Sequence, residues 1–269
     1  MKETVNIVPV GWEVDRVIEA AKMRKADRVI LLRRDTGTES ARFFQKIAKG
    51  LEASRIEWED EVVGLDNEFQ DTLRAVAHCV RREHHKKHRV EVNISAGGKT
   101  AAVAASLAAM YHQGRCTLFQ AIPESYTASK LEQGAEAAAK LYENHGLTIG
   151  VKDVPDLTHY HLTALPLEQE IVLAACTTKQ QTLDDLLNLL RKHGSTSFRL
   201  KLGKDRDAAV KVLERWVLQD LEEKKYVERD QHLGSKGNRK SFLVTDVGLD
   251  AALITGLLNK ERTPQFDLA

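Results

Sequence analysis

The residues best suited to chemistry lie at positions 92–100, VNISAGGKT, where a β-branched run ends in small residues and passes straight into an alanine-rich helical pattern. A strand-turn-helix junction of this kind points unpaired backbone N–H groups outward at the positive end of a helix dipole, which suits a phosphate or another polar ligand. Ala96, Gly97 and Gly98 keep the turn small enough for close approach, and Asn93, Ser95, Lys99 and Thr100 add side-chain donors. Glycines at such a junction also serve the turn alone; the four polar side chains are what favour binding. A Walker A loop needs glycine five positions before Gly98, where Asn93 stands, so GGKT matches only the tail of that pattern and argues against an NTPase.

A second turn follows the first apolar run, at residues 9–16, PVGWEVDR. In a doubly wound sheet it reaches the same carboxyl edge as the first, so Gly11, Trp12, Glu13 and Arg16 join the candidate ligand set. Trp12 offers a face for a base and Arg16 a cation for a phosphate, whereas Glu13 and Asp15 are more simply read as first-turn acids that complement the helix dipole. The turn lacks G-x-G-x-x-G and puts bulky side chains where a pyrophosphate would approach, which disfavours a dinucleotide oxidoreductase.

Other chemistry is poorly served. Residues 81–89, RREHHKKHR, hold three histidines with no acid or cysteine at ligand spacing, and read as a solvated helix end with no metal. Cys79, Cys116 and Cys176 are far apart and odd in number, which excludes a disulfide framework and a zinc spacing and leaves them as buried packing residues. No serine-histidine-acid pattern or paired carboxylate motif marks a catalytic centre, and no cofactor is implied.

These residues need elements to hold them. Strand-like runs near 5–10, 29–32, 56–63, 90–94 and 116–122 alternate with helical periodicity near 14–21, 39–51, 69–82 and 99–111, followed by a helix near 127–144 and a last strand near 148–154. Alternation of this kind predicts an α/β fold, a Rossmann-like doubly wound parallel sheet. We read residues 1–154 as a ligand-binding domain and 155–166 as a linker. Residues 167–269 change to helices near 167–176, 183–190 and 208–224. Strand-like runs at 226–230 and 241–245 then flank the basic loop HLGSKGNRK, before a closing helix near 247–258, a pattern that predicts a winged helix-turn-helix.

The charge balance, 40 basic against 39 acidic residues, supplies no global attraction for nucleic acid, so DNA binding requires a local cluster. Arg199, Lys201, Lys204, Arg206, Lys211 and Arg215 crowd the region of the second and third C-terminal helices, and Lys236, Arg239 and Lys240 stand in the expected wing with no acid among them. They are the candidate DNA-binding residues, the alternative being a winged helix that meets protein. Leu213, Trp216, Val217 and Leu221 recur at helical spacing and are expected in the core. No stretch approaches the roughly 20 apolar residues of a membrane span, and the N-terminus lacks a signal-peptide pattern, so we expect a cytoplasmic protein that does not partner a membrane.

With VPVGWEVDR, RVILLRRD and VNISAGGKT in this order ahead of a winged-helix pattern, the chain resembles the CARF (CRISPR-associated Rossmann fold) transcriptional regulators of the archaeal type over nearly its whole length. The family's glycine-rich signature reads N-x-[ST]-G-G-T-[KR]; here it is Asn93-Ile94-Ser95-Ala96-Gly97-Gly98-Lys99-Thr100, shifted, and Gly11-Trp12 stands where many relatives place a small hydroxyl residue. The resemblance implies a homodimer in CRISPR antiviral defence that binds a cyclic oligoadenylate, most often the tetra-adenylate, on its two-fold axis, and that transmits binding to double-stranded DNA through paired winged helices. It also implies a rival: a ring nuclease that cleaves the cyclic oligoadenylate, in which Lys99 and Ser95 would be the residues to suspect. We commit no catalytic residue.

Overall fold

The computed structural model describes residues 2–34, 37–64, 67–157, 164–230, 241–258 and 263–266. The chain divides into two compact units, Met1–Leu162 and Thr163–Ala269.

In the first unit, β1 (Thr4–Pro9), β2 (Arg28–Arg34), β3 (Glu57–Val63), β4 (Arg89–Asn93) and β5 (Cys116–Phe119) form one sheet in the order β3-β2-β1-β4-β5, and every neighbouring pair is parallel. The connecting helices are α1 (Asp15–Met23), α2 (Thr38–Ala53), α3 (Glu68–His85) and α4 (Lys99–Tyr111). Apolar residues of α1 and α2, among them Val17, Ile18, Phe43, Ile47 and Leu51, bury against Val8, Val29 and Leu31. Those of α3 and α4, among them Val76, Val80, Ala105 and Ala108, bury against Ile7, Ile30, Val90 and Val92. Alternate residues of β1 and β2 thus feed cores on opposite faces, as a parallel sheet covered on both sides requires. This is the expected Rossmann-like α/β fold. The chain winds outward from β1 to β3, then crosses back to β4 on the other side of β1, so the winding direction reverses between β1 and β4. The carboxyl ends of those two strands form the topological switch point, where sheets of this kind hold ligands.

Two expectations for this unit need correction. The single helix expected near 127–144 is broken by Gly134, at φ 111, into a 3-10 helix (Thr127–Gln133) and α5 (Ala135–His145); that backbone angle cannot continue a right-handed helix. The strand expected near 148–154 does not extend the parallel sheet. Its first residues form β7 (Thr148–Ile149), paired antiparallel with β6 (Ser125–Tyr126). Beyond them, bonds such as Lys152 N to Ile122 O (2.9 Å) and Leu157 N to Leu118 O (2.8 Å) lay residues 152–157 along β5, covering the edge of the sheet. Residues 155–157, expected in the linker, are therefore held by the first unit.

The second unit consists of α6 (Leu167–Cys176), β8 (Gln181–Thr182), α7 (Leu183–His193), α8 (Thr196–Leu202), α9 (Arg206–Leu213), a π-helical turn (Glu214–Leu218), α10 (Gln219–Glu223), β9 (Val227–Asp230), β10 (Ser241–Val244) and α11 (Asp246–Ile254). The strands make an antiparallel sheet in the order β8-β10-β9. Thr182 opens α7 with a reciprocal capping box to Asp185. Leu213, Val217 and Leu221 are buried as expected, but Trp216 is 58% exposed. The π-helical turn spreads five residues over one turn, which carries position 216 off the buried stripe; Lys201 Nζ lies 4.9 Å from its ring centroid.

The three cysteines are free and buried, as expected, and burial pushes each thiol up to about 12, which keeps them protonated. No helix among the described residues is long and apolar enough to cross a membrane.

Candidate functional site

The two turns singled out in the sequence meet at the switch point. A Cβ on Gly11 would stand 2.5 Å from the Ala96 carbonyl oxygen, and one on Gly97 would meet Pro9 at 3.0 Å, so glycine at both positions is what allows the β1 and β4 turns to touch. A third glycine, Gly146 at φ 83, lies against the Trp12 carbonyl from the turn after α5, where any side chain would overlap it. Leu147 N donates to Trp12 O at 3.1 Å and Val14 N to His145 O at 3.1 Å, clasping the β1 turn from its far side. Nothing in the sequence marks Gly146 for this task.

The polar residues sort into two groups. Asn93 and Ser95 are 1% and 6% exposed and are spent inside the protein: Asn93 Nδ2 donates to Arg16 O (2.9 Å), Ser95 N donates to Asn93 Oδ1 (2.9 Å), and Ser95 Oγ accepts from Ala121 N. Arg16 Nε donates to Ala121 O (2.9 Å), and its NH1 lies 3.6 Å from Glu13. Glu13 is buried and accepts from the Thr148 hydroxyl; burial raises its carboxyl above the ordinary value, against the pull of Thr148 and Arg16. Asp15 accepts from Gly150 N and His145 Nδ1, each at 2.8 Å, tying α1 to the α5 side. These side chains build and brace the two turns.

The second group is exposed: Trp12 (44%), Gly98, Lys99 and Thr100. Gly98 is the N-cap of α4 and supplies no side-chain cap, so the first amides of the helix face outward beside Lys99 and Thr100. Two residues that sequence reasoning missed join this edge. Arg34, at the end of β2, pairs with Glu68 of α3 at 3.1 Å, and Glu68 Oε1 lies 3.6 Å from where a Gly98 Cβ would stand. Next to the β1 turn, an apolar cavity of about 560 Å³ is bordered by Glu13, Tyr126, Leu131, Tyr142 and Leu147.

In the second unit, Arg199, Lys201, Lys204, Lys211 and Arg215 are exposed. Arg206 is also exposed and makes a two-pronged surface pair with Asp184, at 2.9 and 3.1 Å. Lys236, Arg239 and Lys240 lie outside the described residues.

The histidine-rich end of α3 departs from a solvated helix end. Arg81 is 5% exposed and Glu83 is fully buried, accepting from Arg28 (2.6 Å), Arg82 (2.7 Å) and Lys86 (3.0 Å). Burial alone would raise the Glu83 carboxyl, but these bonds outweigh it and hold it at about 2. No group of acids, histidines and cysteines among the described residues could hold a metal ion.

A doubly wound α/β unit with glycine-lined turns at its switch point is the class that fold and site define. The family model described as "HFX_2341_N:-like, N-terminal" matches residues 4–126, a stretch that holds both turns. Over 183 residues the chain is 26% identical to the uncharacterised protein MJ1513 of Methanocaldococcus jannaschii, an alignment that takes in 62% of this chain and 54% of that protein; the chain thus spans about half the length of the curated relative it matches. Among solved structures it is similar to Enterococcus italicus Csm6 bound to cyclic hexa-2'-fluoro-hexa-dAMP (TM-score 0.40, 14% identity, 84% of this chain and 57% of that one). It is also similar to Can2 of Sulfobacillus thermosulfidooxidans in complex with cyclic tetra-adenylate (TM-score 0.36, 14% identity, 94% and 61%) and to VC1899 of Vibrio cholerae (TM-score 0.40, 11% identity, 93% and 64%).

Proposed function

We propose that the chain is a cytoplasmic sensor of a cyclic oligoadenylate, the tetra-adenylate first, that regulates transcription in CRISPR defence. The observation that carries this reading is the joining of the β1 and β4 turns through Gly11 and Ala96, which leaves Gly98, Lys99, Thr100 and Trp12 exposed together at the switch point. Exposed amides at the α4 N-terminus and the Lys99 ammonium suit phosphodiesters, and the Trp12 face suits a base. A ring of repeated units is matched by the same edge presented twice, so two copies of the chain would enclose one ligand. The second unit acts as a winged helix on double-stranded DNA: the order β8-β10-β9 and the helix run that leads directly into β9 suit that reading, with Lys211 and Arg215 towards DNA. The ligand regulates by binding one arrangement of the paired DNA-binding units more tightly than the other.

The ring-nuclease rival is weakened by Ser95, whose hydroxyl is buried and already accepts a backbone hydrogen bond. Titration of the chain with cyclic tetra-adenylate tests the sensor reading. Lys99→Ala should weaken binding about tenfold for each of the two chains that enclose the ligand, about a hundredfold together, at one charge-assisted bond apiece, with thermal stability shifted by less than about 0.5 kcal/mol because the side chain is exposed. Unchanged affinity in that variant would remove Lys99 from the site.

A further inference from the structure

At the opposite edge of the sheet, a cleft of about 370 Å³ lies between the end of α3 and the turn from α4 into β5. Lys2, His84, Lys87, His88, Arg89 and Arg115 line it, and no acid is among its lining residues. The simplest account of such charges is that they complement the carboxyl ends of α3 and α4. Two helix ends amount to only about −1 in total, which the ammonium groups of Lys2 and Lys87 already exceed before either arginine is considered. His88 is turned to Glu83 at 3.1 Å and Arg89 to Glu91 at 2.9 Å, so part of the charge is used within the fold. What remains is a concave positive surplus larger than the helices need.

We infer that this cleft binds the phosphate group of a small molecule. Lys2 and Lys87 are exposed where their ammonium groups can close on an oxyanion, and Arg115, whose guanidinium lies 3.1 Å from His112 Nδ1, and the half-buried His84 line the cleft between them. Burial, with the charges of Arg115 and Lys87, holds His84 below its ordinary value against a hydrogen bond to the Arg115 backbone, so an anion bound beside it would raise it. The size and concavity favour a phosphate, free or carried as a terminal monoester on a small molecule, over a nucleic-acid backbone, which would follow an extended stripe. The cleft lies about 20 Å from Lys99, the length of the 13-residue helix α4 at about 1.5 Å per residue, and does not depend on the ligand proposed for that edge.

The full chain is titrated with inorganic phosphate and with adenosine monophosphate at matched ionic strength, with the histidine rings followed by NMR. We expect saturable binding that moves the titration of His84 to higher pH, and about tenfold weaker binding in the double variant Lys2→Ala, Lys87→Asn. Asparagine is chosen because Lys87 sits at φ 65, which it tolerates. Tighter binding of the monophosphate assigns the site to phosphate esters, and tighter binding of inorganic phosphate assigns it to the free ion. Retention of monophosphate binding in Lys99→Ala, and of cyclic tetra-adenylate binding in the double variant, separates this cleft from the switch point. Phosphate acting no differently from chloride, or the double variant losing affinity for duplex DNA while its phosphate affinity is unchanged, overturns the inference.

Discussion

Gly11 faces the Ala96 carbonyl at a distance that leaves no room for a methyl group, and the obstacle is backbone, which cannot swing away. Gly11→Ala should therefore push the two turns apart, costing about 1–3 kcal/mol of stability by overpacking and at least tenfold in affinity for cyclic tetra-adenylate; denaturant unfolding and calorimetry measure both. Full affinity in a folded Gly11→Ala protein would mean that the junction does not shape the site. Residue types at this edge were legible in the sequence, but their directions were not. Asn93, Ser95 and Arg16 are hydrogen-bonding side chains in any reading, yet the fold turns them towards one another and towards Ala121, and leaves Lys99, Thr100 and Trp12 outward. Gly146 and Arg34 escaped notice because their partners lie far along the chain, a relation no local pattern carries.

Among the elements, the five parallel strands were legible because short strand-like runs alternate with helical periodicity, although β3 is more than half acidic and β5 only four residues long. Two of the misreadings fall where a single residue or turn interrupts a period: Gly134 splits one helix, and the π-helical turn carries Trp216 to the surface; the strand expected near 148–154 was misplaced because its pairing with β6 and along β5 is a non-local choice. Trp216→Ala should leave stability within about 0.5 kcal/mol, since the ring is more than half exposed; a loss of several kcal/mol in a thermal melt would return it to the core. The end of α3 makes a separate prediction. Glu83 is held down at about 2 against an ordinary value of 4.5, so its bonds to Arg28, Arg82 and Lys86 stabilise the fold fully above about pH 4.5, and this contribution fades as pH falls towards about 2. Glu83→Gln should flatten the acid limb of the stability curve in that window. An acid limb as steep as the parent's would show that other carboxylates control it.

For the whole molecule, near-neutral charge concealed how unevenly charge is placed, with exposed cations on the second unit and a basic cleft at the amino edge of the sheet. If the second unit grips DNA through phosphates, the double variant Lys211→Ala, Arg215→Ala should reduce the slope of log affinity against log salt by about 2 for each chain on the DNA, about 4 for a pair; an unchanged slope would place the DNA elsewhere. The central claim is that the switch-point edge of two copies encloses one cyclic oligoadenylate, and calorimetric titration with a panel of ring sizes tests it most directly. The account predicts saturation with cyclic tetra-adenylate at one ligand per two chains. Absence of binding to every ring in the panel would contradict it.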